Sequence, residues 1–95
     1  MKTNFVPESK LDLEAARNVT SASNEDLEAF VPDLLEWIQD INWPVAKPIA
    51  LRLRRCGTEV VEPIRKILNG TDAIWKYWTI SAVLVHAEKG VRDQF

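Results

Sequence analysis

The sequence predicts an all-α fold: a short α-α stack of about five helices, with two helix–turn–helix repeats behind an N-terminal helix. Three observations point there. No segment alternates apolar and polar residues over six positions beside a hairpin turn. Apolar residues recur instead at the three- and four-residue spacing of a helix face. The stretch 31–53 is also echoed by 61–84 at an offset of thirty to thirty-one residues. Pro32 falls against Pro63. Leu34, Trp37 and Ile38 fall against Ile64, Ile67 and Leu68, and Ala46, Ile49 and Leu53 against Tyr77, Ile80 and Leu84. Stacked helix pairs that bury one face on the next pair produce such a repeat.

The first helix is expected to start at Asp12, whose carboxylate suits an N-cap, with Glu14 in the positive first turn. Leu13, Ala16 and Thr20 share one side of it. Residues 20–24 read as a loop, and Ser23 followed by Asp26 as a capping pair for a second helix. That helix runs from Asn24 toward Asp40. At Pro32 it either kinks or gives way to a new helix with the proline in its first turn. Asp40-Ile41-Asn42-Trp43-Pro44 is a tight connection, because a residue before proline avoids helical geometry. Pro44 then opens a third helix. Val45, Ala46, Ile49, Ala50, Leu53 and Cys56 fall on its inner face, Lys47, Arg54 and Arg55 on its outer face, and Gly57 follows as the stop. Thr58 or Pro63 begins a fourth helix, which carries Val60, Val61, Ile64, Ile67 and Leu68 and ends at Asn69-Gly70. Asp72 caps a fifth, from Ile74 to Val85, that is apolar nearly all round. Such a helix is central in a core or covered by a partner.

Ninety-five residues, 46% apolar and 27% charged, make one folded domain, residues 1–95. A chain of this length folds alone with little margin. The single cysteine excludes an intrachain disulfide. The first ten residues hold no apolar run of signal-peptide length, and Ile74–Val85 is too short and too polar to span a bilayer. A cytoplasmic protein without membrane contact is the expectation.

Charge is uneven. Residues 1–46 carry a net charge of −6 and residues 47–95 a net +4. The simpler reading is that acidic helices lie beside basic ones and neutralise them. The sharper reading is a basic face of Lys47, Arg52, Arg54, Arg55, Arg65 and Lys66 that meets nucleic-acid phosphates. The overall acidity, with a pI near 5.3, weighs against that second reading.

No pattern points to catalysis. The three glycines cannot form a phosphate loop. His86 lacks companions at metal-ligand spacing, so neither a metal nor another cofactor is expected. Cys56 reads as a small core residue. Asp40 and Asn42 read first as turn closure and second as a polar grip beside an aromatic. The four tryptophans carry the most functional weight. Trp37 reads as core. Trp43, Trp75 and Trp78 lie near helix ends, where a stack shows its edge, and Lys76 sits between aromatics. Exposed tryptophan anchors protein interfaces.

The run VPDLLEWIQDINWPVAKPIALRL resembles a HEAT repeat: an early proline, a leucine pair, a turn aspartate, then valine and a small-residue helix. Such repeats often carry arginine after that valine. Here the place is Ala46, and Lys76 stands in the second copy. KLDLEAA, EDLEAFVPDLLEWIQDINWPVAKPIA and DAIWKYW also resemble a small bacterial family of short HEAT-like proteins catalogued as domain of unknown function 5071. The likeness spans roughly residues 7–80 and is most specific at QDxNWPVA. Members tend to continue past the point where this chain stops, which implies a less covered fifth helix. The family implies no activity, cofactor or catalytic residue. The expected function is therefore a non-catalytic protein-interaction module of adaptor or immunity type. Its expected contacts, with a protein partner or a second copy, are Asp40, Asn42, Trp43, Trp75, Lys76 and Trp78. Nucleic-acid backbone binding through Arg52, Arg54, Arg55, Arg65 and Lys66 is the alternative.

Overall fold

The computed structural model describes residues 4–95. Within them every regular element is helical: α1 (Leu13–Ser21), α2 (Asn24–Leu27), α3 (Val31–Glu36), α4 (Ala46–Leu53), α5 (Val61–Leu68), α6 (Ala73–Trp78) and α7 (Lys89–Arg92). Short 3-10 turns lead into α3 at Glu28–Phe30 and into α5 at Thr58–Val60. A π-helical turn, Thr79–Val83, and a 3-10 turn, Leu84–His86, follow α6.

Three N-caps are as the sequence indicates. The side chains of Asp12, Ser23 and Asp72 accept from the amides of Ala15, Asp26 and Trp75. These bonds satisfy donors that a helix start leaves free. Thr58 does not cap α5; it lies within the preceding 3-10 turn, and no side chain caps the helix there. Pro32 does not kink a long helix. A new helix begins at Val31 and ends at Glu36, short of Asp40. Pro32 and Pro63 both fall in the first turn after a 3-10 entry, where a missing N–H leaves no bond unmade.

The buried side of α1 is Ala15, Ala16 and Val19, whereas Leu11 and Leu13 are exposed. The expected Leu13–Ala16–Thr20 stripe is thus displaced by part of a turn. Two alanines let α1 lie against α4, and the amide of Val45 bonds to the carbonyl of Lys10. All six inner-face residues expected of the third helix are buried. Neighbours form two rows: α1, α4 and the π turn along one, α3 and α5 along the other, with α3 also touching α4 and α5 touching α6. The molecule measures 37 × 25 × 18 Å.

The first half of the helix after Asp72 is not central, whereas Thr79, Ala82, Val83 and Leu84 in its second half are buried. The helix breaks from α to π geometry at Thr79, α6 has no fully buried residue, and Ile74 and Tyr77 are 65% and 60% exposed. Only one side of it has a row to pack on.

Helix ends in this fold avoid the left-handed cap. No described residue, glycine included, has a positive φ. Gly57 therefore does not stop α4 in the way expected of it. Bonds from Arg55 to Arg52 and from Cys56 to Leu53 tighten that end instead. Four carbonyls in other segments are met by arginines distant in sequence. Arg52 donates to Ala22 at 2.9 Å, Arg55 to Thr20 at 3.3 Å, Arg54 to Ala82 at 2.6 Å and Arg65 to Gln94 at 3.1 Å. Arg52 is buried, 4% exposed, and also donates to the side-chain oxygen of Asn24 at 2.7 Å.

Arg52→Ala is expected to lose about 3 kcal/mol of stability, since it removes two charged hydrogen bonds to partly buried acceptors and opens a cavity where a buried side chain stood. Arg55→Ala, at an exposed bond, should lose under about 1 kcal/mol. Urea unfolding of both variants checks the difference. Thr79 has a fully buried hydroxyl without a partner among the described residues. Thr79→Val should therefore be neutral or stabilising by up to about 1 kcal/mol in the same assay.

Candidate functional site

The tryptophans are all half-buried. Trp37 packs on the core edge-to-face with Trp43, at 5.6 Å between centroids. Trp43 is held there by the turn before it. Its amide bonds to the carbonyl of Asp40, and the Asp40 carboxylate accepts from the amide of Asn42 at 2.9 Å. Asp40 and Asn42 thus close the turn, as the structural reading of that motif expects. Trp75 is tied inward: its indole N–H donates to the carbonyl of Leu35 in α3 at 2.9 Å. Trp78 packs against the core and stacks edge-on with Tyr77, at 4.8 Å. Lys76 is half-buried and stacks on no aromatic among the described residues; the cation over a ring is Arg65, on Phe95.

Trp75 and Trp78 are therefore the inner side of a surface whose outer side is different, and Trp43 lies apart from it, against Trp37. Ile74, Tyr77, Ile80 and Val85 are exposed along α6 and the turns after it. Helical spacing was visible in the sequence; the side left open was not, because nearly every position there is apolar. A π turn lies within this surface, a geometry found often at functional sites.

A second feature is a groove of about 280 Å³ between α3 and α5, lined by Pro32, Leu35, Glu36, Glu62, Pro63, Lys66, Ile67 and Trp75. The two prolines that mark the repeat stand on its walls. Sequence reasoning offered only that proline pairing as a signal.

The basic residues do not form one open face. Arg52 is inside the fold. Arg54, Arg55 and Arg65 each hold a main-chain carbonyl, and Arg65 also pairs with Glu62. Lys47 and Lys66 are exposed. Nor do the acidic and basic halves neutralise each other by ion pairs. Among the described residues the pairs are Arg65–Glu62 and Lys89–Asp93, both within one helix or its end. Helices α1 and α3 of the acidic half do lie beside α4 and α5 of the basic half, but four arginines there bind main-chain carbonyls and only Arg65, among the described residues, also pairs with a carboxylate.

A family model described as a domain of unknown function, DUF5071, matches residues 5–95. The chain belongs to the DUF5071 family. The match runs beyond the 7–80 span legible by eye, at both ends. No curated protein matches the chain.

Two further side chains of this DUF5071 chain bear on chemistry. His86 is exposed in the last turn before Ala87. Among the described residues no three His, Cys, Asp or Glu side chains gather where a metal could bind. Cys56 is fully buried, with an Arg52 nitrogen 3.7 Å from its sulfur. Burial pushes its thiol pKa up, and the positive charge of Arg52 opposes this only in part. The thiol is thus kept neutral and out of reach.

Native protein at pH 7 should leave Cys56 unreacted with iodoacetamide, and urea-unfolded protein should be alkylated fully, as read by mass spectrometry. A raised folded pKa favours the folded state below the unfolded value, about 8.5. That contribution should fade as pH rises from there through the folded pKa. Urea titrations between pH 7 and 10 against Cys56→Ala, which lacks the dependence, isolate the effect.

Proposed function

We propose that this DUF5071 chain is a cytoplasmic, non-catalytic protein-interaction module of adaptor type, built as a two-repeat HEAT-like stack. The single observation that carries the reading is the open apolar side of α6 and its following turns. Ile74, Tyr77 and Val85 are each more than half exposed in a chain of only 95 residues. Large clustered apolar side chains left in water mark association sites. Trp78 and Trp75 back this surface from beneath and give it a rigid floor. The expected contacts thus move outward, from Trp75 and Trp78 to their exposed neighbours.

The HEAT-like reading draws support from the repeat itself. A 3-10 turn enters α3 at Glu28–Phe30 and another enters α5 thirty residues on, at Thr58–Val60. First helices neighbour first helices, and second neighbour second. In such a stack the last row exposes the apolar side that a further repeat would cover. A partner protein or a second copy takes that place here. Nucleic-acid binding is the weaker reading, because four of the five residues it needs already hold carbonyls.

Tyr77→Asp combined with Ile74→Asp should abolish association with a partner or with a second copy. Circular dichroism and the urea midpoint should stay within about 1 kcal/mol of wild type, since both side chains are exposed. Sedimentation velocity measures self-association. Pull-down of wild type and variant side by side measures a partner. Equal behaviour of the two proteins in both assays overturns the reading.

A further inference from the structure

The groove between α3 and α5 is a second surface, distinct from the α6 side. We propose that it receives a partner segment that sets one large apolar side chain beside a lysine or arginine. The proposal rests on the chain being a binding module, and goes beyond it by assigning a place and a chemistry.

Size comes first. About 280 Å³ lies just under the range of small-molecule sites, roughly 300–1,000 Å³. It suits a single anchor side chain. The lining agrees. Pro32 and Pro63 carry no N–H, Leu35 and Ile67 are aliphatic, and Trp75 has its one N–H bound to the carbonyl of Leu35. These five residues offer an anchor almost nothing to hydrogen-bond, which favours an apolar group beside them; the polar groups of the lining are the charged side chains Glu36, Glu62 and Lys66.

Charge decides what flanks the anchor. From Asn18 to Ala46 the chain has six carboxylates and no lysine or arginine. Among the described residues none of those six carboxylates takes part in an ion pair. Glu36 belongs to this stretch, is exposed and stands on the groove's α3 wall. On the α5 wall Glu62 is engaged by Arg65, which leaves Lys66 as the opposing charge. A partner cation is thus drawn to the α3 wall, and a partner carboxylate is repelled from it. Both acid and anchor positions are set by one short helix, so the two features are presented together.

The test pans a random-peptide phage library on the full-length protein and synthesises the most enriched peptide. The expected consensus is an aromatic or large aliphatic residue within two positions of lysine or arginine. In ¹H–¹⁵N spectra the peptide should shift the Trp75 indole N–H and amides of α3 and α5. Glu36→Lys should weaken it by roughly twofold to fivefold, the scale of a partly exposed charge pair, and added salt should do the same. Pro63→Arg, which fills the groove from a rim position, should abolish binding while circular dichroism stays unchanged. Glu36→Lys is exposed and serves where Pro63→Arg fails to fold. Tyr77→Asp should leave peptide binding intact. Failure to enrich any peptide over bare support, an acidic consensus, or shifts confined to α6 overturns the proposal. Binding lost in Tyr77→Asp but kept in Glu36→Lys overturns the groove and leaves the α6 reading standing.

Discussion

The fold rests on arginine side chains that bind main-chain carbonyls at the ends of other helices. The α-helices here run from four to nine residues. A helix leaves its last four carbonyls without partners, so a four-residue helix has no interior. Longer helices dilute that problem and glycine caps solve it locally, but this chain does neither. It tightens many ends with three-residue bonds, and guanidinium groups bind carbonyls at the end of α1, in the π turn and just after α7. Arg52, Arg54 and Arg55 stand together at the end of α4 and reach both neighbours in its row: α1 through Thr20 and Ala22, and the π turn through Ala82. Charged donors to a carbonyl make the stronger kind of hydrogen bond, and here they link segments about thirty residues apart.

That arrangement explains the charge surface. With four arginines bound to carbonyls, the carboxylates of α2, α3 and the turn between them face solvent and pair with no cation among the described residues. The molecule is therefore more polarised than its net charge of −2 suggests. Asn24 completes the junction. Its amide group donates to the carbonyl of Arg55 at 3.3 Å, and its oxygen accepts from Arg52. One exposed asparagine thus ties the start of the acidic half to the end of α4.

Trp75 joins the two surfaces assigned above. Its indole forms part of the groove floor and bonds to α3, while Ile74 and Tyr77, its neighbours in α6, face outward. The position of α6 relative to α3 is held by that bond and by packing on the core. Occupation of the groove and burial of the α6 side both act on one short helix. The N-terminal segment contributes a separate brace: Phe5 packs edge-on to Phe30 at 5.5 Å, and Asn18 donates to the carbonyl of Asn4.

Much of this was legible in the residues alone. The helical class, the caps at Asp12, Ser23 and Asp72, the turn at Asp40–Pro44 and the inner face of α4 all follow from local pattern, because local hydrogen bonds and side-chain spacing determine them. The destination of the arginines did not. A guanidinium at position 52 reads as surface charge until a carbonyl thirty residues earlier is brought beside it, and only packing does that. The exposed side of α6 was equally hidden: an all-round apolar helix has no preferred face until its neighbours choose one. Nor could spacing show the break at Thr79, or that Arg54 donates to the carbonyl of Ala82 in the π turn that follows. Sequence determined which segments coil and where they start; tertiary packing decided which charges are buried and which apolar side chains remain in water.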